Sequence, residues 1–206
     1  MGNEYRHPRR GQKPRPGAPR AARPNEVNAR RAPARDPVAV GPFFDMGIDP
    51  RINANLGPMG LTEPTPIQAQ AIPHIVAGKD LMGLAQTGTG KTAAFSLPML
   101  TRLLAHGRKP EPRSCRALIL APTRELATQI ATSVEGFAEG TPIRAFRVVG
   151  GASINVQITR LERGVDVLIA TPGRLIDLLD RQAIDLSKTE YLVLDEADQM
   201  LDIGFI

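Results

Sequence analysis

The chain has 206 residues, 42% of them hydrophobic and only 4% aromatic, which supports one domain with a real core and is too little for two sizeable ones. The net charge of +5 is unevenly placed: residues 1–41 carry nine Arg and one Lys against Glu4, Glu26 and Asp36, so the remainder is slightly acidic and any general attraction for polyanions belongs to the N-terminal arm. A single cysteine, Cys115, excludes an internal disulfide and fits a reducing compartment. No run approaches the roughly 18 apolar residues needed to cross a bilayer, and no apolar signal core opens the chain, so a cytoplasmic protein without membrane segments is expected.

Residues 1–41 are rich in Arg, Pro, Gly and Ala, contain no Ser or Thr, and show no apolar periodicity. Such a segment cannot bury enough surface to offset its ordering entropy, and a disordered basic arm is expected. Two roles stay open for it: a solubilising tail, or nonspecific contact with RNA phosphates. From Phe43 the pattern changes, and residues 42–206 read as one domain. Strands are expected at Leu81–Ala85, Ala117–Ala121, Ala145–Val149, Val165–Ala170 and Tyr191–Leu194. Helical patterns lie between them, at Pro66–Ile72, Lys91–Leu104, Arg124–Phe137, Ile154–Arg163 and Arg174–Asp180. Alternation of helices with nearly continuous apolar strands predicts an α/β fold with a parallel sheet covered on both faces. Cys115 opens one of these apolar runs and is expected to pack as a small hydrophobe. Ligands of such sheets sit at the carboxyl ends of the strands, where this sequence gathers Gly, Thr, Pro and charge.

The run Ala85-Gln86-Thr87-Gly88-Thr89-Gly90-Lys91-Thr92 follows an expected strand and opens an expected helix. It matches the phosphate-loop pattern, with Ala85 in the place of the first glycine. Glycines let backbone N–H groups turn inward around phosphate oxygens, and the helix N-terminus adds positive potential. In that pattern Lys91 reaches the β- and γ-phosphates and the Thr92 hydroxyl ligates Mg2+. Further on, the apolar strand Tyr191–Leu194 ends in Asp195-Glu196-Ala197-Asp198. Three carboxylates leaving a buried strand repel one another and call for a cation or a water to organise them. Asp195 is placed to hold Mg2+, and Glu196 to orient or deprotonate an attacking water.

With these motifs the chain resembles the DEAD-box RNA helicases, the bacterial type with a short core and basic extensions. Phe43 upstream of Gly60 and Pro64-Thr65-Pro66-Ile67-Gln68 is similar to the family's adenine-recognising motif, although Leu61 stands where the family usually has an aromatic residue. The resemblance makes Gln68 the adenine reader, with Phe43 beside it. Pro122-Thr123-Arg124, Gly150-Gly151 and Thr171-Pro172-Gly173-Arg174 resemble the three motifs with which the family grips the RNA backbone. The chemistry suits that role, because glycine permits close approach to phosphate, threonine supplies a hydroxyl and arginine a charge-assisted fork, and such contacts read no bases. Asp198 resembles the residue that couples the ATP site to a Ser-Ala-Thr motif.

The resemblance further implies a RecA-like sheet, ATP and Mg2+ as cofactors, RNA as partner, and a second RecA-like domain. Ile206 falls in mid-element, so the sheet is expected to be incomplete at its C-terminal side and the isolated chain to be inactive. Two rivals remain open at this stage: another phosphate-loop ATPase such as a DNA helicase, and a noncatalytic RNA- or nucleotide-binding fragment.

Overall fold

Runs such as Ala117-Leu118-Ile119-Leu120 and Val167-Leu168-Ile169-Ala170 can be buried on both faces only at the centre of a sheet, and that is where they lie. The computed structural model of the chain describes Gly2, residues 41–86 and residues 88–204; the expected basic arm, Gly2 and Gly41 apart, falls outside the described residues. Among these, β1 (Cys115–Leu120), β2 (Ala145–Val148), β3 (Val165–Ala170) and β4 (Tyr191–Leu194) form one parallel sheet in the order β2-β3-β1-β4. Ile119 pairs with Ile169 on one side and Val193 on the other. Side-chain alternation divides the sheet between two cores. Ala117, Ile119, Val167 and Ile169 face a core shared with α2 (Pro50–Leu56), α3 (Pro66–Val76), α4 (Lys91–His106) and α5 (Arg124–Phe137). Leu118, Leu168 and Ala170 face a second core with α6 (Ile154–Leu161) and α7 (Pro172–Asp180). Each fully buried Leu or Ile contributes about 1.5–3 kcal/mol, so the two cores together fix the strand register.

The central strands also carry two charges that the apolar reading passed over. Arg116 and Asp166 are buried and face each other at 3.4 Å, near the amino ends of β1 and β3. Arg116 also donates to the carbonyls of Leu103 and Arg108 and pairs with Glu190, while Asp166 accepts from the amide of Arg144. The pair therefore braces the edge of the sheet opposite the carboxyl ends.

The strand expected at Leu81–Ala85 is not formed: the segment is irregular, with Met82 91% and Leu84 92% exposed. A strand exists only through its ladder, and no described strand lies beside this one to supply hydrogen bonds. β4 is the outer strand on its side, and Leu192 and Leu194 are exposed. Other differences concern boundaries. β1 begins at Cys115 and α7 at Pro172, whose ring suits the first helical turn; α3 runs past Ile72 through Pro73; α6 stops at Leu161. The short helices α1 (Pro42–Asp45), α2 and α8 (Ala197–Asp202), and the 3-10 turn Gly57–Met59, are additional to the expected elements. Buried Ile48, Ile52 and Leu56 recur every four residues, which is the signal that α2 offered.

Candidate functional site

The phosphate-loop residues lead directly into α4. Gly90 is its N-cap with φ 89° and ψ 22°, a left-handed conformation open cheaply only to glycine. Space demands glycine as well, since a Cβ there would lie 2.3 Å from Nε2 of Gln68. Lys91 and Thr92 are the first two residues of α4 and partly exposed, at the positive end of a 16-residue helix. The Thr89 hydroxyl donates to the Gln86 carbonyl at 2.7 Å and closes the turn, while Gln86 and Gly88 are exposed. Thr87 lies outside the described residues.

Gln68 is completely buried, on the first turn of α3. Its Oε1 accepts from the Thr65 amide at 2.9 Å, and its Nε2 donates to the Gly90 carbonyl at 3.1 Å. The amide expected to read adenine is thus a tie between α3 and the phosphate loop. Phe43, expected next to the base, is 2% exposed and packed in the core with Ile48, Ile52 and Ile72.

β4 delivers the acidic group. The Asp195 amide donates to the Leu120 carbonyl at 3.0 Å, which extends the β1–β4 ladder by one residue and fixes the carboxylate at the strand end. Asp195 is 7% exposed, and burial pushes its carboxyl above the usual range; the Lys91 ammonium draws it back down, and Glu196 pushes it up. The phosphate loop and the acidic strand end are therefore within electrostatic reach of each other. Glu196 has φ 54°, a left-handed conformation that costs a residue with a Cβ about 1–2 kcal/mol, and it caps α8. Asp198 sits exposed in the first turn of α8. Among the described residues no cluster of three His, Cys, Asp or Glu side chains could hold a metal alone. A buried carboxylate at a strand end and a threonine hydroxyl at a helix start are oxygen donors of the kind that suit a hard cation arriving with phosphate oxygens and keeping its own waters, which is how Mg2+ binds.

The other three motifs converge on the carboxyl ends of β1, β2 and β3. Thr123 caps α5, its hydroxyl accepting from the Leu126 amide at 3.1 Å, and Arg124 follows it into solvent. Arg124 donates to the Gly150 carbonyl at 3.5 Å and lies so close to Gly151 (φ 81°) that a Cβ there would be 2.5 Å from the guanidinium. Arg174 donates to the Ala152 carbonyl at 3.1 Å and pairs with Asp177 at 3.7 Å. Two arginines from two helices thus brace one glycine loop. Around it lie two open cavities. One, of about 420 Å3, is lined by Pro122, Arg124, Gly150, Thr171, Gly173 and Arg174, together with Asp177. The other, of about 730 Å3, shares Arg124 and Gly150 and extends along α5 to Thr128 and Arg147. Asp177, Thr128 and Arg147 were not anticipated; each belongs to no motif, and only folding brings it to this face.

Residues 65–206 match the sequence model of the DEAD/DEAH box helicase family. The ATP-dependent RNA helicase DeaD of Mycobacterium tuberculosis is 47% identical over 164 residues, covering 79% of this chain and 28% of that protein. DeaD of Escherichia coli is 47% identical over 167 residues, covering 80% of this chain and 25% of that protein. The probable ATP-dependent RNA helicase ddx3 of Dictyostelium discoideum is 46% identical over 173 residues, with 79% and 24% covered. The chain therefore spans about a quarter of the length of these curated relatives. The crystal structure of the RNA helicase Prp28 from Chaetomium thermophilum bound to ADP superposes with a TM-score of 0.72 at 41% identity, covering 78% of this chain and 39% of that one. The parallel sheet with helices on both faces is thus the RecA-like arrangement expected from the sequence.

Proposed function

This chain belongs to the DEAD/DEAH box helicase family, and from that premise we propose that it supplies the ATP site and part of the RNA track of an ATP-dependent RNA helicase. The observation that carries the reading is the turn of the phosphate loop, in which left-handed Gly90 leads Lys91 and Thr92 onto the first turn of α4, with Asp195 buried at the end of β4. A cation and a carboxylate held at adjoining strand and helix ends are the two halves of a nucleotide triphosphate site.

In this reading the loop amides up to Gly90 and the Lys91 ammonium hold the β- and γ-phosphates, and Gln68 ties that loop to α3 while its second amide hydrogen and lone pair would read the adenine edge. Thr92 and Asp195 would hold Mg2+, which offsets phosphate charge when bound. Glu196 orients a water and takes its proton as the water oxygen bonds to the γ-phosphorus and the bond to the β-γ bridging oxygen breaks, releasing ADP and phosphate. Pro122–Arg124, Gly150–Gly151 and Thr171–Arg174 bind the RNA backbone without reading bases. Asp198, exposed on α8, is placed to couple this site to a neighbouring element. A second RecA-like domain would bring further positive charge to the transferring phosphate, an effect worth about 10³–10⁵ in rate for related enzymes. No described helix is long and apolar enough to cross a membrane. We place the protein in the cytoplasm, where its RNA would be.

The test is calorimetric titration of Mg·ATP and Mg·GTP into the 206-residue chain and its Lys91→Ala variant. Binding of ATP in preference to GTP, abolished by Lys91→Ala while RNA binding persists, is the expected result. Equal ATP binding by wild type and Lys91→Ala would overturn the site assignment.

A further inference from the structure

The 730 Å3 cavity is only partly accounted for by the glycine loop and Arg124. Its remaining wall is built by the exposed face of α5, with Thr128, Gln129 and Thr132, and by Arg147 on β2. Strand alternation sends Phe146 to the opposite face, where Arg160 lies over its ring at 5.5 Å, and Arg147 to the α5 side, where its guanidinium donates to the Thr128 hydroxyl. Neither Arg124 nor Arg147 forms an ion pair with a carboxylate among the described residues, although Glu125 also lines the cavity. Arg174, in the neighbouring cavity, does have such a partner in Asp177. Two guanidiniums without a carboxylate partner and bare glycine backbone make a wall for a phosphodiester; the Thr128 and Thr132 hydroxyls donate to the Arg124 and Thr128 carbonyls of their own helix, and Thr128 accepts from Arg147 and so holds its guanidinium on this face. Because this cavity shares Arg124 and Gly150 with the smaller one, the two form one continuous track.

We propose that Arg147, positioned by the Thr128 hydroxyl, forms an additional phosphate subsite that holds the next nucleotide of a single RNA strand lying across Gly150-Gly151. The subsite rests on the RNA reading above and lengthens the track beyond the three motifs. It reads charge and shape, not base identity. Its strength depends on salt, since neutralising one phosphate of a single strand changes the slope of log affinity against log salt by about 0.7.

The experiment is fluorescence anisotropy of a labelled oligouridine with the full chain over a salt series. Arg147→Gln is expected to weaken binding about threefold to tenfold at moderate salt and to flatten the salt slope by about 0.7. Arg147→Lys, which keeps the charge, restores the slope. Arg160→Gln removes the same charge from the other face of β2 and leaves both values unchanged. Wild type that binds RNA while Arg147→Gln keeps its affinity and slope overturns the subsite alone. An Arg160→Gln loss equal to that of Arg147→Gln overturns it too, by reducing the effect to net charge. Absence of RNA binding by the wild-type chain overturns the subsite together with the RNA reading.

Discussion

Replacing Gln68 by alanine separates two roles for one amide. In the folded chain Gln68 is completely buried, and it makes hydrogen bonds of 2.9 Å to the Thr65 amide and 3.1 Å to the Gly90 carbonyl. Truncation removes both, each worth about 1 kcal/mol net, and leaves the part-buried Thr65 amide without its partner. A small cavity is added against Gly90. The sum is a loss of about 2–4 kcal/mol, which at a urea slope of about 2 kcal/mol per molar moves the unfolding midpoint down by about 1–2 M. The assay is urea unfolding of wild type and Gln68→Ala without nucleotide, followed by circular dichroism. An unchanged midpoint, with ATP binding alone weakened, would refute the idea that Gln68 is a structural tie and return it to a pure adenine contact.

Asp49 caps α2 and accepts from both the side chain and the amide of Arg51, and the Arg51 side-chain bond holds its carboxyl below the usual aspartate range. A lowered native pKa means the contribution is complete above the titration of the unfolded aspartate and fades as pH falls through the native one. Asp49→Ala should therefore cost about 1 kcal/mol at neutral pH, and the cost should shrink as pH falls below the ordinary aspartate range and through the native titration; pH-dependent urea titrations of both proteins check this, and a pH-independent difference contradicts it. Glu196→Gly relieves the left-handed strain that Glu196→Ala retains, so the glycine variant should be the more stable of the two by about 1 kcal/mol, with both lacking any hydrolytic role at that position; equal stability in thermal melts would show that the strain is absent. Cys115 is buried beneath Thr189, and burial raises its thiol pKa, so maleimide labelling of the native chain should be slow and accelerate only on unfolding. Labelling at the rate of a free exposed thiol would contradict its place in the core.

The legible parts of the fold are those with local causes. β3 and β4 begin and end where their apolar runs do, and α5 starts at Arg124 because Thr123 before it is a capping residue with its acceptor in use. The phosphate loop was legible because its glycines must take one conformation, as Gly90 does. What failed were properties of pairing. The apolar run at residues 81–85 has the composition of a strand, but a strand also needs a neighbour, and none of the described strands stands next to it. Arg147 and Thr128 lie 19 residues apart and belong to no motif; their meeting depends on α5 packing over β2. The apolar reading of their strands passed over Arg116 and Asp166, which the parallel register sets side by side.

The most direct test of the account is to map where RNA lies on the chain. Photocrosslinking a single-stranded RNA to the full chain and identifying the modified peptides by mass spectrometry should give adducts at Pro122–Arg124, Gly150–Gly151 and Thr171–Arg174, the residues that line the two joined cavities. Adducts confined to the basic residues 1–40, with none at these three segments, would contradict the account and leave an RNA-binding arm attached to a domain with some other task.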